Sequence, residues 1–171
     1  MKVFLIGFMG SGKSTLGKKL ALKLGYHFAD IDKVIESEIK MSIADYFQQN
    51  DENAFRELEN TTMKNIDMPE NSIIATGGGA PCFFDNLDWM NQNGLTIYLS
   101  LSPKALVKRL ENGIEQRPVL QNLSGEELEE FIAVRLKERE KFYQQAKLTI
   151  KGIDQTAEKV IEILKEEGYL K

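Results

Sequence analysis

The stretch that most constrains this chain is its start, MKVFLIGFMGSGKSTLGKKLA. Val3–Ile6 are apolar strand formers, and they run straight into glycines, a lysine and two hydroxyl residues. Gly7-Phe8-Met9-Gly10-Ser11-Gly12-Lys13-Ser14 satisfies G-x-x-x-x-G-K-[ST] at every fixed position. Gly10 and Gly12 let the backbone curl so that successive N–H groups face one anion. The helix that follows aims its positive end at the same point. The segment therefore predicts a phosphate-binding loop in which Gly10, Ser11, Gly12, Lys13, Ser14 and Thr15 hold ATP. Lys13 reaches the outer phosphates and Ser14 offers its hydroxyl to Mg²⁺. The plain alternative is a glycine-rich turn, but the match sits between an apolar run and a helical pattern, the context this loop requires.

The rest of the chain reads as strands alternating with helices. Apolar runs at 3–6, 26–29, 72–76, 95–99 and 147–151 predict five strands. Helical patterns cover 14–24, 33–39, 42–49, 53–66, 84–91 and 103–110, a long helix begins after Ser124, and 154–167 closes the chain. Ser124 with Glu127 three residues on has the form of a capping box. Such alternation predicts a parallel sheet covered on both faces. The 171 residues suit one domain.

Charge and composition narrow the partners. A net charge of −4 argues against nucleic acid as the main partner, which would need a basic stripe. No window approaches the ~20 apolar residues of a membrane span. With one cysteine, Cys82, and one histidine, His27, neither an internal disulfide nor a metal site built from such residues is expected. These features predict a cytoplasmic protein acting on small molecules, with no membrane or nucleic-acid partner.

Other motifs narrow the class. The usual second metal carboxylate ends a central strand, but IIATGGG carries no acid there. Asp30-Ile31-Asp32 does end a strand, so Asp30 is the candidate beside Mg²⁺. Asp32 is either a helix cap or a ligand for hydroxyl groups. No N-K-x-D guanine motif is present. A compact phosphate-loop domain with an aperiodic segment, ENGIEQRPVLQN, late in the chain suggests a kinase for a small acceptor.

Taken together, GFMGSGKST, the DID after the second strand, FRELE, ATGGG, RPVL and REKFY resemble the shikimate kinase family over essentially the whole chain. The resemblance implies a three-layer α/β phosphate-loop kinase fold of the nucleoside-monophosphate-kinase type, with a five-stranded parallel sheet in order 2-3-1-4-5. It implies one domain over 1–171, an acceptor-binding insertion at about 31–62 and a mobile lid at about 111–123. The activity implied is transfer from ATP to the 3-hydroxyl of shikimate, with Mg²⁺, by a monomer. Asp32, Arg56, Gly78, Gly79 and Arg139 would bind shikimate, with Phe47 and Phe55 as apolar walls. Lys13, Asp32 and Arg117 would be catalytic, Arg109 and Arg117 would bind nucleotide, and Ser14 and Asp30 would serve the metal. Lys141-Phe142 stand where the family commonly has proline and leucine, which leaves Arg135, four residues before Arg139, as its rival. Gluconate-type kinases and catalytically silent ATP-binding modules share the phosphate loop and are the alternatives.

Overall fold

The computed structural model describes residues 1–111, 120 and 122–171. Arg117 and most of the expected lid at 111–123 lie outside the described residues.

The sheet forms from β1 (Lys2–Ile6), β2 (His27–Asp30), β3 (Ser72–Ala75), β4 (Leu95–Ser100) and β5 (Leu148–Lys151). All neighbours pair in parallel and the order is β2-β3-β1-β4-β5. The central strand explains the architecture. Val3, Phe4, Leu5 and Ile6 are all fully buried, because alternate side chains enter cores on opposite faces of the sheet. Val3 and Leu5 pack with Leu16 and Leu20 of α1 (Lys13–Leu24) and with Val160 and Leu164 of α8 (Ala157–Glu166). Phe4 and Ile6 enter the opposite core. There they join Ile31 and Ile35 of α2 (Ile31–Ile39), Phe55 and Met63 of α4 (Glu52–Asn65), and Met90 of α5 (Asn86–Asn93). Leu106 of α6 (Pro103–Leu110) and Tyr143 of α7 (Gly125–Tyr143) complete it. The short α3 (Ile43–Gln49) rests on α4 through Phe47, whose ring lies 4.7 Å from that of Phe55.

The chain leaves β1 toward one edge of the sheet to make β2, and crosses to the other side of β1 to make β4. In such sheets the crevice at the carboxyl ends of the strands, where the direction reverses, is the place for a ligand. The phosphate loop leaves β1 there.

Two local expectations change. Asp30, not Asp32, caps α2: its carboxylate accepts the Asp32 N–H at 3.1 Å, so the helix begins two residues early and Asp32 lies in its first turn. Ser124 does precede α7, but its side chain makes no capping bond; the Glu127 N–H donates to the Ser124 carbonyl instead, at 3.2 Å. The backbone turn takes the place of the expected capping box.

Candidate active site

The phosphate loop is built by backbone geometry. Gly10 and Gly12 have φ of 79° and 94°, in the left-handed region that favours glycine. Ser11 tightens the turn by donating its N–H to the Phe8 carbonyl at 3.1 Å. The Lys13 ammonium turns back across the loop and donates to the Gly7 and Phe8 carbonyls at 2.8 and 2.9 Å. Its positive charge is thereby held inside the curl. The Ser14 hydroxyl donates to the Asp30 carboxylate. A hydroxyl and a carboxylate side by side are the hard oxygen donors that suit Mg²⁺, which usually keeps waters and phosphate oxygens as its other ligands. Among the described residues no cluster of three His, Cys, Asp or Glu could make an all-protein metal cage.

A cleft of about 970 Å³ opens over this loop. Residues 9–16 line it, with Asp30 from the end of β2, Asp32 from the first turn of α2, Gly77 and Gly78 from the segment after β3, and Arg109 from α6. Arg109 spans one side, donating to the Ser11 carbonyl at 3.0 Å and to the Ile153 carbonyl, in the β5–α8 connection, at 3.4 Å.

Arg56, Gly79 and Arg139 stand just beyond that lining. Arg56 projects from α4 and is only 8% exposed, although it is an arginine on a helix. Three contacts account for its burial. Its guanidinium binds Glu59 at 2.9 Å and Glu52 at 3.2 Å, and it lies over the Phe83 ring at 4.3 Å. Gly79 packs directly against it. Arg139, from α7, lies over the ring of Phe8, 5.4 Å from its centre, and so flanks the phosphate loop. Arg135 is exposed and pairs with Glu138 at 3.4 Å. Of the two rival arginines, Arg139 is the one packed on the phosphate loop. Cys82 is half-buried beside these arginines, and burial pushes its thiol up to about 11, against the pull of Arg139 and Arg56. It is a packed, protonated thiol at neutral pH.

Two acids share this region. Burial, then the neighbouring Asp30 charge, raises the Asp32 carboxyl above the ordinary carboxylate range, opposed by Lys13 and, more weakly, Arg56. Burial also raises Glu59, opposed chiefly by Arg56. Glu59 is fully buried, and its Oε1 has no hydrogen-bond partner among the described residues.

The comparisons with known proteins bear on this arrangement. The family model described as shikimate kinase matches residues 9–167. The chain belongs to the shikimate kinase family. It is 47% identical over 148 residues to the shikimate kinase of Parabacteroides distasonis, covering 86% of each protein. It is 44% identical over 146 residues to that of Bacteroides fragilis, covering 85% of this chain and 82% of the relative. Among solved structures, the shikimate kinase of Bacteroides thetaiotaomicron superposes with a TM-score of 0.89 at 37% identity, covering 99% of both chains. The shikimate kinase of Acinetobacter baumannii in complex with shikimate gives 0.88 at 28% identity, covering 99% of this chain and 95% of that one.

In this shikimate kinase family member, two residues stand at the site that the motifs alone do not mark. Glu59 lies within FRELE, but an acid three residues after an arginine on a helix reads as a surface pair. Tyr143 lies within REKFY, and its hydroxyl donates to the Gly78 carbonyl at 2.6 Å. Tertiary packing decides the burial of the first pair and the existence of the second contact. His27 is exposed at the start of β2.

Proposed function

We infer that this chain transfers the γ-phosphoryl group of ATP to the 3-hydroxyl of shikimate, giving 3-phosphoshikimate and ADP, in the route to chorismate and aromatic amino acids. The observation that carries this reading is the meeting of a phosphate-binding loop with a partly buried Asp32 in one cleft, with two arginines standing next to it. An anionic polyol needs arginines for its acid and an acid for its hydroxyls.

Phosphoryl transfer depends mainly on positioning and on neutralising charge. The N–H groups of the loop and Lys13 cradle the phosphates of ATP. Ser14 and Asp30 would hold Mg²⁺, which would supply positive charge against that of the phosphates. Arg56 and Arg139 hold the shikimate carboxylate through charge-assisted hydrogen bonds, which are stronger than neutral ones. Gly78 and Gly79, having no side chains of their own, let a ligand approach the backbone closely. Asp32 orients the 3-hydroxyl and accepts its proton as the oxygen attacks phosphorus. A raised affinity for protons suits Asp32 to that step, because a base holding its proton more tightly takes it more readily. Arg109 and Thr15 contact the nucleotide. Arg117, assigned from the family resemblance, neutralises the moving phosphoryl group, with 111–123 as the lid that carries it and 31–62 as the acceptor-binding segment of one domain. The chain acts as a monomer in the cytoplasm.

Coupled release of ADP, measured with shikimate, with gluconate and with no acceptor, tests the reading. Shikimate-dependent ADP release supports it. Gluconate-dependent release points to the related sugar-acid kinases, and ATP binding without release under any condition points to a silent module. A size-exclusion measurement tests the monomer, and Arg117→Ala kinetics test the role of that arginine.

A further inference from the structure

We propose that Tyr143 is a positioning residue for the acceptor side of the site: its hydroxyl fixes the Gly78–Gly79 peptide and thereby sets where the Gly79 N–H faces. The inference rests on the shikimate-phosphorylating reading and concerns how that site is held in shape.

Tyr143 is the last residue of α7, and it is fully buried. Its ring stacks on Tyr98 of β4, with centroids 5.0 Å apart and planes at 28°. That stack leaves the side chain no freedom to swing, so the hydroxyl is a fixed donor. It meets the Gly78 carbonyl at 2.6 Å. Burial pushes the hydroxyl further from ionisation, with Arg139 opposing, so it remains a donor at any working pH.

The loop it holds has little else to hold it. The Gly77 carbonyl accepts from the Ala80 N–H at 3.2 Å, and the Gly79 carbonyl accepts from the Cys82 N–H at 2.9 Å. The Gly78 carbonyl has Tyr143 as its one partner among the described residues. Three glycines in sequence have no side chains to fix their peptide planes, and glycine turns through more backbone angles than any other residue. In a trans peptide the C=O and N–H point in opposite directions. Holding the Gly78 carbonyl against Tyr143 therefore turns the Gly79 N–H the other way, where no described residue accepts it. An anionic or hydroxyl ligand is the acceptor left to it. The opposite side of Gly78 leans on the phosphate loop, since a Cβ there would stand 3.1 Å from the Met9 nitrogen.

The same helix brings Arg139 to the site one turn before Tyr143. Helix α7 thus delivers a cation for the ligand's acid and a clamp for the peptide beside it, as one rigid unit.

Tyr143→Phe keeps the ring and removes only the hydroxyl. The expected result is a rise of about five- to thirtyfold in the shikimate KM, with the ATP KM and kcat changed less than about threefold. Calorimetric titration of shikimate without nucleotide should weaken by a similar factor. Tyr98→Phe is the control. It removes the hydroxyl of the neighbouring ring, which faces Glu140 at 3.4 Å, and should leave shikimate KM within about twofold of wild type. Equal shifts in the two variants, or unchanged shikimate binding in Tyr143→Phe, overturn the proposal while the wild type still turns over. A wild type that releases no shikimate-dependent ADP overturns both this inference and the activity on which it rests. If Tyr143→Phe does not fold, nuclear magnetic resonance of the wild type decides: the Gly79 amide should gain protection from exchange when shikimate is added, and no gain overturns the proposal.

Discussion

Arg56 and Glu59 meet across one turn of α4 at 2.9 Å, and both are shut away from water. Each ion depends on the other, because removing one partner of a buried pair strands a charge. Glu59 also holds Arg56 against Phe83 and Gly79, in the orientation that the proposed shikimate carboxylate would meet. Glu59→Gln preserves the shape and a hydrogen-bond acceptor while removing the charge. It should raise shikimate KM about tenfold and leave ATP KM nearly unchanged. Glu59→Ala should in addition cost roughly 3–5 kcal/mol of stability. Steady-state kinetics and thermal melts of the two variants separate the effects.

Arg139 and Arg135 share a helix but not an environment. Arg139 lies over Phe8 of the phosphate loop, whereas Arg135 pairs with Glu138 at the surface. Arg139→Ala should weaken shikimate binding by about ten- to a hundredfold, the value of a lost charge-assisted pair of roughly 1.5–3 kcal/mol. Arg135→Ala should change it less than about twofold, because exposed pairs contribute little. Titration calorimetry with shikimate checks both, and a reversed pattern would move the site one helical turn.

How much of this could be read from the sequence depends on whether local pattern or tertiary contact decides each feature. The run Val3–Ile6 is buried on both faces, as an uninterrupted apolar strand requires, and all five strands lie within about a residue of the expected bounds. The phosphate loop is a local motif whose glycines carry their own instructions. Arg56 is different: helical arginines are usually solvated, and Phe83 and Gly79, brought against α4 by the fold, help to bury this one beside Glu59. Tyr143 is harder still, since its partner Gly78 lies 65 residues away in the chain. The cap of α2 is not legible, because Asp30 and Asp32 are the same residue type two apart and the choice between them rests on where β2 stops.

The raised Asp32 carboxyl makes a prediction about pH. A folded-state pKa above the unfolded value means that the folded protein holds this proton more tightly. Stability then falls as pH rises from the ordinary aspartate range through the raised value, and the cost of ionising Asp32 is fully present above it. Asp32→Asn removes the charge while keeping the shape. It should abolish turnover and raise the melting temperature by a few degrees at pH 8, with the gain shrinking at pH 4, where free aspartate itself begins to protonate. Melting curves across that range check the sign. A gain larger at acid pH than at pH 8 would contradict the raised value.

Gly79→Ala tests the acceptor side by a steric change alone. Gly79 has φ −86° and ψ −16°, a conformation that alanine adopts readily, so the substitution carries no torsional strain. Its effect is steric. The added Cβ would stand 2.5 and 2.7 Å from the two terminal nitrogens of Arg56, closer than any stable contact allows. The guanidinium cannot yield freely, because Glu59 holds one of its edges, Glu52 another, and the Phe83 ring covers it. Either the Arg56–Glu59 pair stretches or the glycine loop moves away, and both displace groups proposed to bind the shikimate carboxylate. The expected result is a fall in kcat/KM for shikimate of about a hundredfold, for a loss near 3 kcal/mol, while nucleotide affinity stays within about threefold. Gly25→Ala is the contrasting case: its φ of 66° strains a side chain, yet a Cβ there meets nothing within 4 Å. That variant should lose stability by about 1 kcal/mol and keep its shikimate KM. Kinetics and melts of the pair check the distinction. A Gly79→Ala enzyme with unchanged shikimate KM would show that Arg56 gives way without loss and does not hold the acceptor.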